Sequence, residues 1–263
     1  RPKPMWESEM QGGAFNQGFR YGHAVNAAQQ QYWTWQAIGR GAKTVLYWSW
    51  RDESWGVESG GYGIDGQDGL AEERKKGIRA TRKLLEAHSQ AIDKYVPDAA
   101  NIGVVFDSDS AMIALATREH NTYAVTHSLN GCLSALERQR LPFDVLDGRR
   151  LSIPDDIKLI LLPAALCLKE DAADALLDFM KRGGWVFSEA GTGLFLENGF
   201  MVDRPERRAL LGKLGIGQTR RRGVHIEASC DIPAGSWSGS PAISLGGSGL
   251  WSIGIAAPDG ARV

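Results

Sequence analysis

The sequence is poor in cysteine, has no long apolar run and carries almost no net charge. Cys132, Cys167 and Cys230 are the three cysteines in 263 residues, and their spacing fits no metal-ligand pattern. They sit among apolar or small neighbours, which predicts buried free thiols in a reducing, cytoplasmic compartment rather than a disulfide framework. No window approaches the roughly 18 consecutive apolar residues of a membrane-spanning helix. The start, Arg1-Pro2-Lys3-Pro4-Met5-Trp6-Glu7, has no apolar stretch of the signal-peptide kind, so no membrane partner is expected. With 30 Lys+Arg against 31 Asp+Glu the net charge is -1, which leaves no field for wrapping nucleic acid.

What the chain has in quantity is glycine and tryptophan, 32 and 9 residues. Trp6, Trp33, Trp35, Trp48, Trp50 and Trp55 all fall in the first 55 residues, whereas the pattern after about residue 95 is a plain alternation of aliphatic strands and amphipathic helices. That shift predicts a boundary, with segments 1–95, 96–223 and a β-rich 224–263. In the first segment we read an extended stretch ending at Glu9-Met10-Gln11, a helix over 24–38 stopped by Gly39-Arg40-Gly41, and a strand over 44–50. A glycine-rich loop follows over 51–70, too long for a plain connector and therefore a candidate binding or lid element. A charged helix over 71–91 closes the segment, with Ile78, Leu84 and Leu85 able to face inward.

The second segment reads as strands over 101–107, 143–146, 158–163 and 185–187, with helices over 122–139, 170–182 and 206–214. Strands and helices alternating at this spacing predict a doubly wound parallel sheet. The first segment holds only two strand-helix units. A (β/α)8 barrel takes about 250 residues, so either most of a barrel is missing here or the two units extend the second segment's sheet.

Glu9 ends an extended segment just before Gln11-Gly12-Gly13, where a barrel strand would present a catalytic carboxylate. Period-two alternation puts Glu7 on the same face. A surface position is the competing reading for both. Trp33 and Trp35, inside a helix, read as core, whereas Trp48, Trp50 and Trp55 suit either a core or a platform for a sugar ring.

Certain residues together resemble a known family. Glu9-Met10-Gln11-Gly12-Gly13, Tyr32-Trp33-Thr34-Trp35-Gln36-Ala37, Gly41-Ala42-Lys43, Tyr47-Trp48-Ser49-Trp50-Arg51 and Gly56-Val57-Glu58, ahead of a glycine-rich stretch with Asp65, are similar in order and spacing to the end of the catalytic barrel of family-42 β-galactosidases. Phe143-Asp144-Val145-Leu146, Lys158-Leu159-Ile160-Leu161-Leu162-Pro163, Gly183-Gly184 and Leu211-Gly212-Lys213-Leu214-Gly215-Ile216 are similar to that family's trimerisation domain, a glutamine-amidotransferase-like fold. The fold class implied is α/β: the last two βα units of a (β/α)8 barrel, then a doubly wound amidotransferase-like sheet, then the start of a β-rich segment.

The resemblance implies a retaining glycosidase acting on terminal β-D-galactosides, without cofactor or metal, in a homotrimer. By motif Glu9 matches the nucleophile, Glu58 a carboxylate that bonds sugar hydroxyls, and Trp48, Arg51 and Trp55 the surroundings of the pocket. The family's proton donor lies in an Asn-Glu pair on the fourth strand, and no Asn-Glu dipeptide occurs here. The chain also stops inside a β region, at Pro258-Asp259-Gly260-Ala261-Arg262-Val263, so it reads as a piece of a larger enzyme.

Two departures bear on specificity: Gly60-Gly61-Tyr62 stands where a histidine is usual, and Phe15-Asn16 where a tryptophan is usual. A related β-glycoside or α-L-arabinopyranoside therefore stays open as substrate. In the second segment no Gly-x-Cys-x-Gly elbow occurs, the corresponding strand runs into Ser188-Glu189-Ala190-Gly191, and His225-Ile226-Glu227 reads as strand. The rival readings are a noncatalytic carbohydrate-binding or assembly protein, and an amidotransferase-like enzyme that would need a reactive Cys167.

Overall fold

A computed structural model describes residues 4–17, 20–117, 123–189, 191–232 and 243–256. The chain divides into two compact units, Arg1–Asp98 and Ala99–Val263.

In the first unit β1 (Met5–Gln11) is followed by a two-residue ribbon, β2 (Asn16–Gln17) with β3 (Arg20–Tyr21), and then by α1 (Ala27–Gly39). The helix starts at Ala27, three residues later than the apolar pattern suggests, because Asn26 caps it. The Asn26 side chain accepts from Gln29 N–H at 2.9 Å while the Gln29 side chain accepts from Asn26 N–H at 3.1 Å, a reciprocal capping box. Gly41, at φ 97°, then turns the chain into β4 (Ala42–Trp48), which runs parallel to β1. No further strand or helix occurs until α2 (Ala71–Ala87), and the helix expected to run on to 91 breaks at His88 before α3 (Ser89–Lys94).

The helices of this unit bury polar groups. Gln30 and Thr34 are the buried residues of α1, and Arg74, Gly77 and Thr81 those of α2. Trp33 is only half-buried and Trp35 is exposed, contrary to the core role expected of both, and Leu84 faces out. The reason is that the polar side chains carry the helix contacts. Gln30 donates to Gly12 O at 2.8 Å, the Thr34 hydroxyl meets the Tyr47 hydroxyl at 2.6 Å, and Gln31 reaches Gly77 O at 3.1 Å and Thr81 Oγ1 at 3.2 Å.

The second unit is built differently. β5 (Ile102–Phe106), α4 (Ser108–Thr117), α5 (Tyr123–Arg138), β6 (Phe143–Asp147), β7 (Leu159–Leu162), α6 (Glu170–Lys181) and β8 (Trp185–Ser188) give a four-stranded parallel sheet in the order β6-β5-β7-β8. Both faces are covered. Ile102, Val104, Leu159 and Leu161 pack with Cys132, Ala135 and Leu136 of α5, whereas Val105, Ile160 and Leu162 pack with Ala172, Ala173, Leu176 and Phe179 of α6. This explains the unbroken apolar runs, since a strand buried on both sides has no polar face. After α7 (Ala209–Lys213) the chain forms an antiparallel pair, β9 (Gly217–Ile232) and β10 (Ile243–Ala256). The terminal 258–263 lie outside the described residues. Among the described residues, no helix is long and apolar enough to cross a membrane.

Candidate active site

The side chains of β1 divide between two faces. Met5, Glu7 and Met10 line a groove of about 380 Å³ with Trp33, Gln36 and Ala37 of α1 and Arg40, the residue just after it. Tyr47, paired with Met10 across the strands, turns the same way to reach Thr34. The next residues, Glu9 on β1 and Leu46 and Trp48 on β4, therefore face away from the helix, and all three are exposed, Trp48 to 43%.

This placement corrects the expectation that Glu7 and Glu9 share a face. The pairing runs Glu7 with Val45 but Met10 with Tyr47, so β1 carries one extra residue between them. A bulge of this kind reverses the alternation and re-aims a side chain. Glu7 turns into the helix-side groove, and Glu9 alone of the two presents its carboxylate on the free face.

The carboxyl ends of the two parallel strands lie side by side, and the loop over 51–70 is stitched onto them. Gly12 N–H donates to Trp48 O at 2.8 Å, and the Tyr62 carbonyl accepts from both Gly13 N–H and Ser49 N–H, each at 2.9 Å. Tyr62 N–H donates to Ala14 O, Ile64 N–H to Ser49 O and Asp65 N–H to Trp50 O, all at 2.8 Å. This proximity explains the glycine pair after β1: a Cβ on Gly13 would stand 2.1 Å from Gly63 O, and one on Gly12 2.6 Å from Tyr62 O. The backbones approach too closely for a side chain.

The sequence-derived site residues lie on the two strands or in the loop that follows β4. Glu9 and Trp48 are on the strands, whereas Arg51, Trp55 and Glu58 are on the outgoing limb of the loop. Arg51 and Trp55 are exposed, Trp55 to 89%, and Glu58 is half-buried. The outgoing and returning limbs are tied by Gly60 N–H to Glu53 O at 2.7 Å. The two departures noted in the sequence meet: the Phe15 and Tyr62 rings stand edge to face with centroids 5.4 Å apart, and the Asn16 side chain donates to Gly60 O at 2.7 Å.

Several organising residues carried no sequence signal. Asp52 accepts from Gly63 N–H at 2.9 Å and from Gln67 N–H at 3.0 Å. Arg74 is fully buried and paired to Asp68. Burial acts to raise the Asp68 carboxyl, but its bonds to Arg74 and Leu70 N–H outweigh this and hold it below the usual carboxylate range. Asp65 is likewise held low by the Lys75 ammonium, 2.9 Å away. Of this network, only the glycine-rich stretch and Asp65 stand out in the sequence.

In the second unit Cys132 and Cys167 are buried free thiols. Cys167 is 1% exposed, and burial, reinforced by Asp107 and Asp109, pushes its thiol up to about 12. Burial pushes Cys132 to about 11. A reactive cysteine needs the opposite shift. Glu189 is occupied, accepting from Ala164 N–H at 3.1 Å and from the Ser128 hydroxyl. Among the described residues no group of three or more His, Cys, Asp or Glu is arranged to hold a metal.

Residues 1–90 match the family-42 glycoside hydrolase model, described as beta-galactosidase. None of the curated proteins matches the sequence. Among solved structures, a beta-galactosidase from Bacillus circulans sp. alkalophilus superposes with a TM-score of 0.71 at 18% identity, covering 97% of this chain and 37% of that one. A beta-galactosidase from the Antarctic haloarchaeon Halorubrum lacusprofundi gives 0.69 at 20% identity, covering 99% and 36%. A catalytic mutant of a family-42 beta-galactosidase from G. stearothermophilus gives 0.69 at 13% identity, covering 98% and 36%. The chain thus spans little more than a third of the length of these enzymes. Its first 90 residues match the family-42 model, and nearly its whole length has the α/β fold, with parallel sheets, of family-42 β-galactosidases.

Proposed function

We propose that this chain contributes the nucleophile and part of the sugar pocket of a retaining glycoside hydrolase that cleaves terminal β-D-galactosides. The observation that carries the reading is the position of Glu9. It lies within the segment matched by the family model, exposed on the free face of a parallel strand near its carboxyl end, beside the end of β4.

In this reading the Glu9 carboxylate attacks the anomeric carbon as the glycosidic C–O bond breaks, and a second carboxylic acid protonates the departing oxygen. Water then attacks the glycosyl ester, and the same second group, now a base, takes its proton, so that Glu9 is regenerated and the anomeric configuration retained. Glu58 would accept from sugar hydroxyls, and Trp48, Arg51 and Trp55 would line the pocket, the aromatic rings offering platforms to the sugar's C–H faces. No Asn-Glu dipeptide occurs in the 263 residues, and the acid/base is proposed to come from a part of the enzyme outside them.

The second unit is proposed to serve as an amidotransferase-like trimerisation domain without amidotransferase chemistry, a reading supported by its sheet covered on both faces and by the burial of Cys132 and Cys167. A cytoplasmic homotrimer completes the proposal, and the free, buried Cys132 and Cys167 suit a reducing compartment. Replacing Glu9→Gln in the intact protein is expected to lower turnover of an aryl β-D-galactoside by about 10⁴-fold or more while leaving assembly intact. Undiminished turnover would overturn the assignment.

A further inference from the structure

We propose that Arg74 is a positioning residue of the sugar site, holding the loop that presents Arg51, Trp55 and Glu58. The inference rests on the function proposed above. A guanidinium has five N–H donors in a fixed fork, and at Arg74 each has an acceptor. Nε donates to Ile64 O at 3.1 Å. Nη1 donates to Val25 O at 3.0 Å and to Asp68 Oδ2 at 2.6 Å, and Nη2 to Gly63 O at 3.1 Å and to Asp68 Oδ1 at 2.9 Å. The side chain is wholly buried, so this charge is compensated by protein groups alone.

Four of the five bonds end on the returning limb of the loop, at Gly63, Ile64 and Asp68. Gly63 is in turn bonded through its N–H to Asp52, next to Arg51, and Ile64 through its N–H to Ser49, next to Trp48. The limbs are cross-tied at Glu53 and Gly60, on either side of Trp55 and Glu58. Arg74 thus fixes the returning limb, and the outgoing limb that carries Arg51, Trp55 and Glu58 is tied to it through Asp52 and Glu53. Glu9 is held separately, by the pairing of β1 with β4. A lysine could neutralise Asp68 but could not make the five-bond fork.

This separation predicts a kinetic split. In the intact protein, Asp68→Asn and Arg74→Lys should raise KM for an aryl β-D-galactoside by about tenfold, with kcat per active site kept within about twofold. Active-site concentration is to be titrated with a mechanism-based galactosyl inhibitor. A merely structural role gives the reverse, fewer active sites with KM unchanged, and that result would overturn the inference. Should Arg74→Lys fail to fold, Asp68→Asn carries the test, since it keeps the guanidinium and its three carbonyl bonds. A wild-type protein that turns over no β-galactoside would instead overturn the function on which the inference rests, and the inference with it.

Discussion

The two units bury different kinds of side chain. In Ala99–Val263 a parallel sheet is covered on both faces by aliphatic side chains, with Ile102, Leu136, Leu159, Ile160, Leu161, Leu162 and Leu176 all below 2% exposed. In Arg1–Asp98 the buried hydrophobic residues are small or few, Ala14, Val25, Ala42 and Ile64, and the interior is organised by Gln30, Thr34, Thr81 and Arg74. Trp6, Trp48, Trp50 and Trp55 are exposed within these 263 residues. A unit held by directed hydrogen bonds fixes a backbone in one geometry, whereas a unit held by apolar packing supplies stability. The first arrangement suits a site, the second a platform for assembly.

The contrast can be broken most forcefully from the aliphatic side. Leu176→Ala removes a fully buried side chain from the α6 face of the sheet. It should cost about 2–5 kcal/mol, read by hydrogen exchange as lost protection in 99–263 while the amides of 12–14 and 62–65 keep theirs. Equal loss in both units would show that they do not stand on separate cores.

A smaller effect is expected from Gly13→Ala. The new Cβ meets Gly63 O at 2.1 Å, backbone against backbone, and overpacking of this order costs about 1–3 kcal/mol. Protection should fall at Gly13, Ser49 and Tyr62 and be unchanged in the second unit. A variant as stable as wild type would mean that the loop is not clamped there.

The subtlest contrast is in the sign of the pH dependence. Asp68 is held below its ordinary value, so its contribution is present above pH ~4 and is lost as acid titrates the folded carboxyl below that. Asp107 is the reverse. Burial raises it, against the bonds it accepts from Ser110, so its contribution is full below pH ~4 and is lost as pH rises through the folded value. Stability measured by denaturant from pH 3 to 7 should therefore flatten in opposite directions for Asp68→Asn and Asp107→Asn. Two variants with the same slope change would contradict the assignment.

Much of the second unit is legible in the sequence because an aliphatic strand and an amphipathic helix each announce themselves by period. The exception is α4. Ala111-Met112-Ile113-Ala114-Leu115-Ala116 is apolar all round, so it shows no face contrast and hides behind the strand that precedes it. In the first unit β1, β4, the helix α1 and the long loop are visible, and Glu9 is marked out by its motif, whereas the short β2–β3 ribbon is not. The bulge that sends Glu7 and Glu9 to opposite faces is invisible, because pairing register is set by the partner strand and not by local pattern. Arg74, Asp68 and Asp52 are equally silent: a charged residue in a charged helix or glycine-rich loop looks solvated until its partners are in place.

Glu9 is the residue on which the proposed chemistry rests. Incubating the intact protein with a 2-deoxy-2-fluoro-β-D-galactosyl inhibitor traps a retaining nucleophile as its glycosyl ester, and peptide mass spectrometry locates the label. The label is expected on Glu9, in the peptide spanning the strand before Gly12-Gly13. A label on Glu7, Glu58 or any other carboxylate would contradict the account.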